Sequence, residues 1–277
     1  MPEPIKTERI AKLLARAGVA SRRAAERMIA QGRVAVAGQT IATPATLLAD
    51  LADVTVDGAP VQAIAPTQLW RYHKPAGLLA THRDPQGRPT LFDALPADLP
   101  RVISVGRLDR NSEGLLLLTN DGTLARHLEL PATGLVRRYR VRVHGPVDDA
   151  TLAPLQNGVL IDGVQYGAIE ARVERVRGSN AWLAVGLCEG KNREVRKVLA
   201  HLGLAVTRLI RIAYGPFVLG RLAPGAVAPV PQRDWIGVAA PVRAHLRLSA
   251  PAHGPTRPKG WAKAKPKPKK PPRGKTR

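Results

Sequence analysis

Asp109 stands between Arg107 and Arg110 in the stretch GRLDRNSEGLLLLTNDG, residues 106–122, of a chain whose 43 lysines and arginines outnumber its 21 acidic residues. A carboxylate withdrawn from water tends to take up a proton, and a neighbouring guanidinium reverses that tendency. Such a pair either ties a loop or keeps a charged carboxylate ready for chemistry. The four leucines that follow are too few for a helix and are bounded by Gly114 and by Asn120-Asp121-Gly122, a turn signal. They read as a buried strand. Asp109 then lies in the loop entering it, where a core holds a residue rigidly while leaving it open to a cleft.

Two other segments hold candidate partners. In RRYRVRV, Tyr139, Val141 and Val143 share one face of a strand, and Arg138, Arg140 and Arg142 share the other. Taken alone Tyr139 is a core residue, but at the start of a strand its ring is also placed to face a cleft and stack on a base. In EGKNREVRKVLAHLG, Asn192 is expected to cap a helix that Gly203 ends, with Val195, Val198, Leu199 and Leu202 inward. Arg193, Arg196 and Lys197 follow i, i+3, i+4 and form a cationic stripe, suited to solvent or to an RNA backbone.

The elements around these segments predict an α+β protein. Residues 8–65 read as a small module of two helices and short strands. Ile10, Leu13, Leu14 and Ala17 mark the first helix, and Ser21 caps the second, which turns Ala24, Ala25, Met28 and Ile29 inward. Arg22 and Arg23 fall in the first turn of that second helix, where the helix dipole disfavours cations by up to about 1 kcal/mol. With Arg33 and Lys12 nearby they read as a phosphate site, where amide N–H groups and guanidinium groups converge on one anion. A second domain is expected over 68–237. Its strand-like runs come in groups with single helices between them, which predicts a largely antiparallel sheet. Residues 239–277 read as a disordered Lys/Pro-rich tail.

Bulk properties narrow the partners. The net charge is +22, and ten cations beyond residue 250 still leave +12 on the rest, so an anionic partner such as nucleic acid is expected. The single cysteine, Cys188, excludes an internal disulfide and a cysteine-based zinc cluster, fits the cytoplasm, and is expected to be buried. No histidine spacing suggests a metal. Neither a secretory signal nor a membrane span is expected. A carbohydrate-active enzyme would usually pair two carboxylates across the bond, and only Asp109 has a catalytic context here.

The residues carry two resemblances. ERIAKLLARAGVASRRAAERMIAQGRVAVAGQTI is similar to the S-four-type RNA-binding domain, which implies contact with structured RNA. KPAG at residues 74–77, DPQGRPTLFD at 84–93, GRLDRNSEGLLLLTNDG, the tyrosine of RRYRV and EGKNREVRK occur in the order seen in ribosomal pseudouridine synthases with that N-terminal domain. The strings look most like the members that modify 23S rRNA; relatives acting on 16S rRNA tend to carry lysine where this chain has Arg196. The resemblance implies that Asp109 is the catalytic aspartate and that Tyr139 packs on the target base. It also implies that Arg196 pairs with the aspartate and that Leu199 lines the uracil pocket. Expected RNA contacts are Arg22, Arg23, Arg33, Lys74, Arg107, Arg193 and Lys197. Isomerising uridine requires no group donor, so no cofactor is expected, and a monomer acting on ribosomal RNA is the implied state. A non-catalytic RNA-binding assembly factor, or an enzyme acting on 16S rRNA, remains the alternative.

Overall fold

The computed structural model describes residues 7–249. Its strands are β1 (Glu8–Arg9), β2 (Val34–Val36), β3 (Gln39–Thr40), β4 (Leu47–Leu48), β5 (Val54–Val56), β6 (Ala59–Pro60), β7 (Leu69–Lys74), β8 (Ile103–Val105) and β9 (Glu113–Thr119). After these come β10 (Arg137–His144), β11 (Val159–Ile161), β12 (Val164–Tyr166), β13 (Ile169–Arg177), β14 (Asn180–Leu187), β15 (Ala205–Tyr214), β16 (Phe217–Val218) and β17 (Val227–Val230). Helices are α1 (Ile10–Arg16), α2 (Arg22–Ala30), α3 (Gly122–Glu129), α4 (Asp149–Leu152), α5 (Glu194–His201) and α6 (Gln232–Trp235).

The first elements form a unit with its own core. Ile10, Leu13, Leu14, Ala25, Ile29, Val34, Leu51 and Val54 bury together beneath the four-stranded sheet β3-β2-β5-β6. Ser21 accepts the amide of Ala24 at 3.1 Å, so the expected cap of α2 is present. Arg16 leaves this unit to reach Asp121 at 2.9 Å. Asp121 also caps α3 by accepting the amides of Thr123 and Leu124, so the Asn120-Asp121-Gly122 turn is a helix start.

The large sheet runs β13-β14-β10-β15-β9-β7-β17, with β8 beside β9 and β16 beside β15. Among its pairings only β15 with β9 is parallel, so the α+β, largely antiparallel expectation describes it. One core lies on the face carrying Tyr139, Val141, Val143, Leu116, Leu118, Leu183, Val185 and Leu209, and α5 packs there through Val195, Val198 and Leu199. A second core covers the other face around β9 and β7, with Leu115, Leu117, Leu124, Leu128 and Trp235. The four leucines of the motif therefore serve both cores by alternation.

Two expectations change. Residues 239–249 pack instead of trailing off. Ala239 is fully buried, Val242, Leu246 and Leu248 lie against the second core, and Thr67 donates its amide to Arg247 O at 2.6 Å. The remainder of the expected tail, 250–277, lies outside the described residues. Cys188 is exposed, because β14 ends at Leu187 and the next side chain leaves the core face. Among the described residues, no helix is long and apolar enough to cross a membrane.

Candidate active site

The loop between β8 and β9 is pinned from four directions. Glu129, at the end of α3, accepts the amide of Gly106 at 2.7 Å. Lys74, at the end of β7, donates to the carbonyls of Pro75, Arg110 and Ser112 at 2.9, 3.3 and 3.0 Å. Gly77 donates its amide to Arg110 O at 2.7 Å. Arg196, on α5, donates to Asn111 O at 2.9 Å and to Val206 O at 3.1 Å.

Beyond these four, the loop's far end is fixed by backbone packing. Gly114 has φ +104° and pairs with Arg211 on β15; a Cβ there would fall 2.3 Å from the Arg211 carbonyl oxygen. Only glycine permits that approach, which explains why the leucine run begins after one.

Asp109 sits in this loop and lines a cleft of about 1060 Å³ together with Arg107, Ser112, Tyr139, Arg193 and Arg211. Arg193 Nη1 lies 3.5 Å from Asp109 Oδ2. Both side chains are partly exposed, so the pair is a loose, solvent-screened one. Arg193 adopts φ 52°, ψ 29°, a left-handed conformation that costs a non-glycine residue about 1 kcal/mol. That backbone turns it away from α5 and toward the carboxylate.

The expected Asp109–Arg196 pair is thus replaced by Asp109–Arg193. Helix α5 begins at Glu194, so Arg193 is outside it and the Arg193/Arg196/Lys197 stripe does not exist as one face. Nor does Asn192 cap the helix; Glu194 instead accepts the amide of Lys191 at 2.9 Å. Burial pushes the Arg196 guanidinium below its ordinary value, Arg193 adds to this, and Asp109 opposes it. Arg196 therefore feels the aspartate's charge while its hydrogen bonds hold the loop carbonyl.

Tyr139 is 9% exposed and lies beside Arg211 in the β10–β15 register, with both lining the cleft. Leu199 is 1% exposed and sealed in the core; Val195, one turn earlier on α5, lines the cleft along with Leu79, Leu108, Leu187 and Leu209. Lys74, expected at RNA, is fully buried and cannot meet a phosphate. Burial pushes its ammonium down to about 8, against the opposing charges of Asp109 and Glu113. Arg33 is gripped by Asp57 at 2.8 and 2.6 Å, so its charge is already paired. Arg22, Arg23, Arg107 and Lys197 are exposed.

Sequence reasoning missed several groups. Arg137 is 6% exposed and donates to carbonyls of Leu135, Glu129 and Cys188 and to the Tyr214 hydroxyl. Arg211 is 4% exposed and donates to Leu115 O at 2.7 Å, while its Nη2 and the Ser112 hydroxyl have no partner among the described residues. Both arginines share the strand parity of apolar residues, Arg137 with Tyr139 and Val141, Arg211 with Leu209. That parity was the available signal. At the cleft's rim Arg88 holds the Asp84 carboxyl down at about 2, closing the DPQGR turn.

Residues 68–201 match the family model described as RNA pseudouridylate synthase, and residues 8–50 match the S4 domain. A Rickettsia felis protein called an uncharacterized RNA pseudouridine synthase is 47% identical over 219 residues, 79% of this chain and 95% of that protein. The ribosomal large subunit pseudouridine synthase B of Shigella flexneri is 42% identical over 229 residues, 79% of this chain and 77% of the relative. That of Haemophilus influenzae is 45% identical over 229 residues, 78% of this chain and 62% of the relative. A solved structure described as a pseudouridylate synthase has a TM-score of 0.58 and 25% identity, covering 83% of this chain and 99% of that one.

Proposed function

This chain belongs to the RNA pseudouridine synthases, and from that premise we propose that it isomerises a uridine of large-subunit ribosomal RNA, with Asp109 as the catalytic carboxylate. The observation that carries the assignment is the placement of Asp109 on a pinned loop, facing a cleft of about 1060 Å³ beside Tyr139 and Arg193. The rRNA class rests on the two relatives named as large-subunit enzymes.

The reaction breaks the N1–C1′ bond of uridine, turns the freed ring and forms a C5–C1′ bond. N1 gains a proton and C5 loses one, so nothing is oxidised or reduced. The nucleoside must first leave its stack, at a cost of a few kcal/mol. Contacts to the surrounding RNA offset that cost. Residues 8–65 serve as the RNA grip, through Arg22 and Arg23 on the exposed start of α2. Residues 68–237 carry the chemistry, with Arg107 and Arg193 lining the cleft and Lys197 exposed on α5 as further phosphate contacts.

Within the cleft each group has one task. Tyr139 presents its ring to the extruded base. Asp109 either attacks the sugar at C1′ or removes a sugar proton to give a glycal; both routes use its charged form. Arg193 supplies the nearby positive charge, and Arg196 acts as a positioning residue through the Asn111 carbonyl. Ser112 and Arg211, whose hydroxyl and Nη2 have no partner among the described residues, line the same cleft, where the detached uracil needs polar neighbours while it turns. In this reading the acting unit is a monomer, and an rRNA substrate puts its activity in the cytoplasm.

The test is pseudouridine detection on large-subunit and small-subunit rRNA after incubation with the pure protein. Asp109→Asn is expected to lose turnover by roughly 10³-fold or more while RNA affinity stays within about twofold. Wild-type turnover in that variant overturns the role of Asp109. Modification confined to small-subunit RNA overturns the substrate assignment.

A further inference from the structure

The cleft occupies one face of the large sheet, and among the described residues the second core covers the β9–β7 side of the other and reaches Ile210 and Tyr214 on β15. Over β13, β14, β10 and β15 that other face carries arginines. Directly opposed residues of neighbouring strands point the same way, so the register arranges them in rows. One row runs Arg175, Trp182, Arg142, Arg208; the next runs Arg172, Ala184, Arg140, Ile210; a third begins Glu170, Gly186, Arg138. All six arginines are exposed.

Their charge is only partly answered. Arg140 pairs with Glu174 at 2.9 Å and Arg208 with Glu113 at 2.9 Å. Among the described residues, Arg138, Arg142, Arg172 and Arg175 have no acidic partner. Glu170, which folds over Gly186, is the carboxylate nearest Arg138 in the rows. Arg142 stands opposite Arg208, and like charges facing each other across strands destabilise a sheet. A fold that needed only a solvated face would gain by alternating their signs.

Shape agrees with charge. A groove of about 420 Å³ is lined by Arg138, Arg172, Glu170, Glu174 and Ala184; Glu174 is already paired with Arg140, and Ala184 is a small residue that leaves room beside the sheet backbone. Trp182 is half-buried between Arg142 and Arg175, with the Arg140 guanidinium 4.8 Å from its ring centroid. Arginines around an aromatic ring form the combination that holds single-stranded RNA by phosphate contact and stacking.

We propose that this uncovered arginine face is a second RNA-binding surface, holding the backbone of an RNA segment other than the one that enters the cleft. Tyr139 alternates with the exposed Arg138 and Arg140 along β10 and is buried on the cleft side, so the arginine face lies behind the one that takes the extruded nucleoside. The surface extends the rRNA reading: it suits a long, folded substrate and adds nothing to the chemistry.

The test compares wild type with a full-length variant in which Arg138, Arg142, Arg172 and Arg175 are all changed to Gln. Two RNAs are used: a short stem-loop with the target uridine, and a long large-subunit rRNA fragment. For the variant, turnover of the stem-loop is expected within about twofold of wild type, whereas affinity for the long fragment falls roughly 100-fold at low salt. The slope of log affinity against log salt becomes shallower by about three. Replacing the same four residues by Lys is expected to restore the slope. Unchanged affinity and slope on the long RNA overturn the proposal, including the case in which the face serves an acidic protein instead. The single change Arg142→Gln, which removes one exposed side chain, reads the surface with little risk to the fold; it should lower the slope by about 0.8, and no change again overturns it. Binding slopes are measurable without catalysis, so failure to find pseudouridine would defeat the isomerase reading separately.

Discussion

Strand β10 bears arginines on both faces, and the two sets meet different surroundings. Arg137 points inward, where it gathers the carbonyls of Glu129, Leu135 and Cys188 and the Tyr214 hydroxyl at 2.9 Å. Arg138 and Arg142 point outward and have no acidic partner among the described residues. The same residue type is a scaffold on one side of a strand and a binding group on the other. Buried, its five donors answer carbonyls at the ends of neighbouring elements, where an unmet acceptor would cost about 1–3 kcal/mol. Exposed, it keeps its charge available for a phosphate.

The sharpest way to break this contrast is at the backbone seam that both faces share. Gly114→Ala forces a Cβ into the Arg211 carbonyl, so β9 and β15 must separate. A loss of about 3 kcal/mol or more in urea unfolding is expected, with turnover lost as the Asp109 loop shifts. Native-like stability and activity would mean that the seam is not tight.

A smaller effect compares the two arginine sets directly. Arg137→Gln should cost about 3 kcal/mol in the same assay, because several buried acceptors lose their donor. Arg142→Gln should stay within about 0.5 kcal/mol of wild type, as expected of an exposed site. Equal costs would erase the distinction.

The mildest test uses pH at Lys74. Its folded value of about 8 lies below the 10.5 of a free lysine, so between the two the unfolded chain binds more protons. Stability from this residue therefore rises with pH across that window and is lost as pH falls through about 8. Deprotonation also removes one N–H donor from the three loop carbonyls, so turnover should fall above pH about 8 while stability rises. Lys74→Met should lack that alkaline limb; a limb that persists there belongs to another group.

Much of the fold was legible along the chain. The alternation in RRYRVRV gave β10 and its two faces, and LLLL gave a strand whose residues divide between two cores. Strand β13 escaped notice because IEARVERVR has few apolar residues; it lies at the sheet edge, where one face needs none. The candidate site was legible in part. Asp109 and Tyr139 meet in one cleft, but Leu199 lies below it and Lys74 beneath the loop. Helical spacing put Arg193, Arg196 and Lys197 on one stripe, and the helix begins one residue too late for that.

Local periodicity determined which side chains share a face, because strand and helix geometry repeats along a chain whatever packs against it. The sequence by itself also placed Asp109 in a loop before a buried strand. Only the tertiary structure decided which arginine reaches that aspartate, that Lys74 is sealed under the loop, and that half of one sheet face is left uncovered. Those outcomes depend on how far a helix extends and on which layer lands where, and both are set by contacts between residues distant in sequence.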